Sequence, residues 1–412
     1  MENSTTLLDN SFYALIIMLF TGVISGEISK KINVPDVVLY LLAGILVGPS
    51  VFNILSIPDT SIVNQVILVF GASFILYCGG REVSLDTFRE IKVTVLSLAT
   101  LGVLISTALV GSTAHFLFNL DWKVALLTGA VIASTDPASL IPVLEHLPIA
   151  KRLKQTVICE SAFNDAMGAV LVFSIIGVMT SGDLSFSSSI RSLVEMIGLG
   201  ILTGIIIGFL ISLSISSRKF GIFSDYAPIM SVIASILTYV VADNVGGSGY
   251  MACFIAGMVC GNKEKFGLIV PEHEYISQVY FREVLNILFK MAIFILLGTH
   301  VNFSYLAKYW HIALVITILL ILVFRPISVF ISTSLDFKAK WSIKEKLFIS
   351  WVRETGVIPA AMCSIIVSQK LPGYDIISSI VFMAILITLI LQGTTTGLLA
   401  RKLGIDSQKN NC

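Results

Sequence analysis

The stretch STDPASLIP, Ser134–Pro142, places an aspartate and two prolines where a membrane helix would be expected to run unbroken. VALLTGAVIA (124–133) precedes it, and AMGAVLVFSIIGVM (166–179) follows some two dozen residues on. Such a segment is either a surface loop or a helix broken to hold something charged. Pro137 and Pro142 each remove a backbone donor and so leave carbonyls without a helical partner. Asp136 before Pro137 also fits an N-cap that opens a helix. The two readings are compatible, because a half-helix N-terminus inside a bilayer is itself an ion-binding device.

The composition makes lipid the main solvent. Of 412 residues, 56% are hydrophobic and 13% charged, with a mean hydropathy of +0.92. A soluble domain carries roughly 25% charged residues. A net charge of +1 without a basic patch argues against a nucleic-acid partner. The six cysteines form no CxxC pair, so neither a disulfide framework nor a zinc site is expected. The five histidines show no ligand spacing, and no cofactor is expected beyond transported ions. The opening MENSTTLLDN lacks the basic region of a cleavable signal peptide.

A bilayer core about 30 Å thick needs about 20 apolar residues per helix. Thirteen candidate spans lie near 8–28, 35–52, 61–80, 93–118, 123–145, 155–180, 189–216, 224–243, 248–262, 278–299, 304–334, 345–369 and 374–400. Loops alternate in charge: about 19 of the 27 Lys and Arg fall on one face and about four on the other. By the positive-inside rule the N-terminus is outside and the C-terminus cytoplasmic. The short tail 401–412 then faces the cytoplasm.

Ala-Gly-x-x-x-Gly occurs in LLAGILVG (41–48) and again in FIAGMVCG (254–261), seven spans later. An odd separation inverts topology, so the pattern predicts an inverted repeat. The same motif also serves plain close packing in lipid. The repeat predicts a second broken span, and span twelve supplies one in SWVRETGVIPAAMCS, with Gly356 and Pro359 at mid-span beside Arg353 and Glu354. The expected units are a first repeat over 8–180, a linker helix over 189–216 and a second repeat over 224–400. The glycines 200, 204 and 208 of the linker read as packing.

A charge at a helix centre costs roughly 2.5–3.5 kcal/mol even on mild insertion scales. The first half carries Asp136, Glu160 and Asp165. The second carries Arg282, Glu283, Lys290, Arg325, Arg353 and Glu354, so pairing across the halves is the natural relief. In CESAFNDAMG, Ser161 and Asp165 share one helix face, and Glu160 and Asn164 share another. Asp165, Ser161, Thr135 and Asp136 can offer the oxygen ligands that small hard cations prefer. The Asp165 carboxylate can take a proton instead, and competition with alternating exposure suffices for exchange without covalent chemistry. Glu160 reads as the ion-pair partner of Arg325. Arg353, Glu354 and Lys290, with Arg282 and Glu283, read as cavity-lining or mutually paired.

TDPASLIPV, then ESAFNDAMG, FRP and TGVIPAA, together resemble the monovalent cation:proton antiporter-1 family of NhaP type, over about residues 10–400. The resemblance implies an all-α polytopic fold of thirteen helices in two inverted six-helix repeats, with crossed broken helices at spans five and twelve. It implies a homodimer whose core moves as an elevator against a dimerisation domain in the plasma membrane. It makes Asp165 the site of Na⁺ and proton binding, with Thr135, Asp136 and Ser161 at the other ion-site positions. It makes Glu160 and Arg325 a structural ion pair. Asn164 stands where electrogenic relatives carry a second aspartate, which implies electroneutral exchange. One departure is Arg353-Glu354-Thr355-Gly356, where the family's arginine position holds Thr355. The expected cargo is Na⁺ or Li⁺, with K⁺/H⁺ antiport as the alternative. A cation channel would need a filter, and no TVGYG-like loop is present. An intramembrane aspartyl protease would need YD and GxGD motifs around its aspartates, and neither Asp136 nor Asp165 has them.

Overall fold

The computed structural model describes the chain except residues 1, 33, 59–60, 136–143, 145–146, 182–185, 217–220, 269–271 and 406–412. Asp136, Pro137 and Pro142 lie outside the described residues. Among the described residues the protein is all-helical, and each of the thirteen expected spans carries helix. The first half comprises α1 (Glu2–Ile32), α2 (Asp36–Val47), α3 (Ile62–Glu82), α4 (Leu85–Phe118), α5 (Trp122–Ala133) and α6 (Lys151–Ser181). Next comes α7 (Phe186–Ser214). The second half comprises α8 (Ala227–Asn244), α9 (Gly249–Gly261), α10 (Glu272–Thr299), α11 (Phe303–Ser334), α12 (Ile343–Trp351), α13 (Val357–Ser368) and α14 (Tyr374–Leu403).

Helix length follows position in each half. The helices α2 and α9 hold 12 and 13 residues, and α5 and α13 hold 12 each. At 1.5 Å per residue these are about 18–20 Å long and cannot cross a bilayer as single helices. The helix α13 survives because protein surrounds it: residues 352–364 are all buried. The long helices carry the lipid-facing apolar surface, with Phe12, Tyr13, Phe20 and Val23 of α1 all exposed.

The repeated glycines explain which helices cross. A methyl group at Gly44 of α2 would collide with the Ile295 carbonyl of α10, and one at Gly298 of α10 with the Leu41 carbonyl of α2. The pattern recurs between α9 and α3. A methyl at Gly257 would meet the Tyr77 carbonyl, and one at Gly80 the Phe254 carbonyl. So the second helix of each half packs backbone to backbone on the third helix of the other, the close approach that small residues permit in lipid. Gly200, Gly204 and Gly208 of α7 abut α9 at Ser248, Ala252 and Ala256 in the same way.

Two further features recur in corresponding places. A π turn at Leu98–Gly102 interrupts α4, and another at Leu320–Phe324 interrupts α11. Near the middle of the bundle both fifth elements stop being helical. The helix α5 ends at Ala133 with Ser134 extended, and residues 352–356 separate α12 from α13. Pro359 does not itself make that second break. It sits in the first turn of α13, where backbone N–H groups lack helical partners anyway, and the Ala360 N–H to Gly356 carbonyl bond (3.1 Å) starts the helix.

Gly257→Val should force α9 off α3. Overpacking of this kind typically costs about 1–3 kcal/mol, so the variant should melt several degrees lower in detergent, whereas Gly177→Ala, whose added methyl meets nothing within 4 Å, should melt like the parent.

Candidate ion-binding site

The central helix is α6: every residue from Thr156 to Val172 is buried. One turn of it carries Glu160, Ser161, Asn164 and Asp165, of which Glu160 is 1% and Asp165 3% exposed. An ionised carboxylate at such depth needs a partner, because desolvation alone costs several kcal/mol per ion. For Glu160 that partner is Arg325. Arg325 Nη1 donates to Oε1 at 3.0 Å and Nη2 to Oε2 at 2.9 Å, the two-pronged geometry that suits a carboxylate. Arg325 directly follows the π turn of α11 and precedes a proline in the first turn of the next helical segment.

Asn164 joins this ion pair to the broken helix. Its Nδ2 donates to Glu160 Oε1 (2.7 Å) and to Thr135 Oγ1 (2.9 Å), while its Oδ1 accepts from the Thr135 N–H (2.9 Å). Both amide hydrogens and the carbonyl are therefore engaged, and the Glu160–Asn164 face read from the sequence is a hydrogen-bonded contact. Ser161 closes the other side. Thr135 Oγ1 donates to Ser161 Oγ and Ser161 Oγ donates to the Thr135 carbonyl, each at 2.9 Å. The chain leaving α5 is thus held at Thr135 by two side chains of α6, Ser161 and Asn164. Asp165 lies one turn beyond Ser161 on the same face, beside this anchored segment.

The second break faces the first. Arg353, fully buried, donates through Nη2 to the Ile132 carbonyl near the C-terminal end of α5. A cation there offsets the partial negative charge of the helix end and satisfies a carbonyl that the break would orphan. Two residues of the π turn in α14 (Thr388–Gln392) support the same break. The Thr355 N–H donates to Thr388 Oγ1 (3.0 Å), and Gln392 Nε2 donates to the Trp351 carbonyl at the end of α12 (2.7 Å). Glu354, 1% exposed, turns instead toward Gly393 of α14 and Pro35: a methyl at Gly393 would lie 3.0 Å from Glu354 Oε1 and 3.3 Å from Pro35.

The structure therefore gathers Thr135, Glu160, Ser161, Asn164, Asp165, Arg325 and Arg353 at the crossing, and separates the rest. Lys290 pairs with Asp36 at 2.8 Å, linking α10 to α2. Arg282 and Glu283 line a separate cavity. Thr388 and Gln392 were missed by sequence reasoning. Only their position in the last span could have flagged them, since neither carries charge and their partners lie 33 and 41 residues away.

A family profile described as "Sodium/hydrogen exchanger, transmembrane" matches residues 15–402. The chain belongs to the sodium/hydrogen exchanger family. It is 29% identical over 411 residues to Na(+)/H(+) antiporter 1 of Methanocaldococcus jannaschii, covering 93% of this chain and 94% of that one. It is 28% identical over 397 residues to the K(+)/H(+) antiporter NhaP2 of Shewanella sp. (strain ANA-3), covering 95% of this chain and 67% of that one. The solved structure of the sodium proton antiporter MjNhaP1 from M. jannaschii at pH 8 superposes with a TM-score of 0.85 at 28% identity, covering 96% of this chain and 99% of that chain. The chain is accordingly a multi-pass membrane cation/proton antiporter, and it shares the all-helical fold of MjNhaP1.

Removing either half of the buried pair leaves an uncompensated charge, which typically costs about 3–5 kcal/mol. Glu160→Ala and Arg325→Ala should each lower the melting temperature markedly, while the double replacement Glu160→Leu/Arg325→Met should recover most of the loss in a thermal-shift assay. Equal destabilisation by the double replacement would count against a structural role for the pair.

Proposed function

We propose that the protein exchanges one monovalent cation, Na⁺ or Li⁺ in preference to K⁺, for one proton, and that both occupy the carboxyl group of Asp165 in turn. The observation that carries this is the commitment of the neighbouring groups. Glu160 is neutralised by Arg325 and further held by Asn164, and the Asn164 amide is engaged on all sides. Asp165 is the second carboxylate of this part of α6, one turn beyond Ser161 on a different face from the Glu160–Asn164 pair, and in this reading it is the one whose occupant changes. One carboxyl that trades a cation for a proton moves no net charge per cycle, so the exchange is electroneutral. Thr135 and Ser161 supply neutral oxygens beside it, the ligand type that hard cations favour, with Asp136 as a further oxygen donor.

In this reading residues 8–180 and 224–400 are the two inverted repeats, 189–216 link them, and 401–412 form a cytoplasmic tail. The chain sits in the plasma membrane with its N-terminus outside, works as a homodimer, and alternates access by moving the helices around Asp165 past the remainder. K⁺/H⁺ antiport is the second reading. It is favoured by the name of the Shewanella relative and by the Arg353–Gly356 variant, which borders the anchored segment where cation size would be sensed.

The test is exchange in proteoliposomes, read as dissipation of an imposed pH gradient by Na⁺, Li⁺ or K⁺. Asp165→Asn should reduce exchange to background while melting near the parent temperature; substantial exchange by the folded variant would remove Asp165 from the mechanism. Clamping the membrane potential should leave the Na⁺-driven rate unchanged, and a voltage-dependent rate would contradict one-for-one exchange.

A further inference from the structure

A cavity of about 240 Å³ opens among the end of α3, the end of α9 and the first half of α10, outside the ion site. Arg81, Arg282, Tyr275 and Asn286 line it together with Glu82 and Glu283, both of which are exposed. Lys263, two residues beyond α9, is 3% exposed and lies with its Nζ 5.1 Å from the centre of the Tyr275 ring. Two guanidinium groups therefore line the cavity, and a buried ammonium sits beside its Tyr275 wall.

These cations are held in place. Arg81 Nη1 donates to the Tyr77 hydroxyl and Nη2 to Gln278 Oε1, both at 3.2 Å. Arg282 Nε donates to the Gln278 carbonyl at 3.2 Å. Gln278 is itself fixed, since its Nε2 donates to the Ala227 carbonyl and Ser231 Oγ of α8, each at 2.9 Å. Among the described residues, none of Arg81, Lys263 and Arg282 forms an ion pair with a carboxylate. The terminal nitrogens of Arg282 have no protein hydrogen-bond partner there either. The strain of this arrangement shows in Lys263. Burial, and then the positive charges of Arg81 and Arg282, push its ammonium down to about 8. The positive-inside bias accounts for lysines and arginines in solvated loops. It does not account for a buried lysine set against two anchored arginines.

We propose that this cavity binds a phosphate-type anion through the terminal nitrogens of Arg282, with Arg81 on its wall and Lys263 behind Tyr275 adding fixed positive charge. A guanidinium offers parallel N–H groups that match phosphate oxygens, and a lysine adds a point charge. An anion between these groups turns part of the mutual repulsion into attraction. The phosphate can arrive as a soluble ester or as the headgroup of an anionic lipid, and the recognition chemistry is the same. By bridging α3, the turn after α9 and α10, the anion would tie together helices that cross between the two halves. Only its access from the cytoplasm rests on the orientation proposed above.

The full chain, purified in neutral detergent, is melted against increasing inorganic phosphate at constant ionic strength made up with chloride. In a second arm it is melted in nanodiscs of phosphatidylcholine with and without phosphatidylglycerol. The melting temperature should rise saturably in at least one arm, as it does for any ligand that binds only the folded state. A rise with free phosphate identifies a soluble ligand, and a rise confined to phosphatidylglycerol identifies a lipid headgroup. Lys263→Met and Arg282→Gln should each weaken the response at least tenfold. Lys263→Met should also melt at or above the parent temperature without the anion, because it removes repulsion, so its lost response cannot be ascribed to misfolding. No rise in either arm, or an equal rise in parent and both variants, would overturn the proposal.

Discussion

The arrangement around Asp165 depends on one buried ion pair, Arg325 with Glu160, and on the asparagine that ties it to a broken helix. Such a pair contributes little against a well-packed apolar alternative of the same volume, because the two desolvation penalties consume most of the attraction. Its value here is specificity. Glu160 accepts from Arg325 and Asn164 together, Asn164 grips Thr135 at both its N–H and its hydroxyl, and Ser161 takes the Thr135 carbonyl. The segment at Thr135 thus acquires one conformation, and Asp165 acquires fixed neighbours.

The same economy governs the second break. Interrupting a helix inside a bilayer orphans carbonyl and N–H groups that no water is there to meet. Arg353 takes a carbonyl of the opposite break, Gln392 takes the Trp351 carbonyl and Thr388 takes the Thr355 N–H. The two breaks are therefore interdependent: a side chain from one satisfies the backbone of the other. Away from the crossing the halves are joined differently, by glycine contacts between α2 and α10 and between α9 and α3 that leave no room for a methyl group. Polar bonds hold the crossing, and close backbone packing holds the frame beside it.

The spans were legible because lipid imposes length and apolarity on each, and because charged loops alternate between faces. Short spans were recognisable as well: α2 and α9 share Ala-Gly-x-x-x-Gly, and the glycines prove to be the crossing points. The i, i+4 pairs of α6 followed from helical spacing alone. The interruption of span twelve was placed at Gly356 and Pro359, yet residues 352–356 are the non-helical ones and Pro359 lies inside α13. A proline near a helix start is tolerated and so marks the neighbourhood of a break better than its position. The π turns of α4, α11 and α14 had no sequence signal, since LATLG, LILVF and TLILQ share no pattern that marks an extra residue in a turn.

The sequence by itself determined the solvent, the number of spans, the two interrupted segments and the carboxylates that lipid would not tolerate without purpose. These are local properties of composition and period, and each can be read within about twenty residues. Only the tertiary structure decided which cation meets which anion. Arg325 is 165 residues from Glu160, and Arg353 is 221 from the carbonyl it satisfies. It likewise separated Arg353 from its neighbour Glu354, sending one side chain to the crossing and the other toward α14. Adjacent residues in an unwound segment follow no helical period, so their directions are set by what surrounds them.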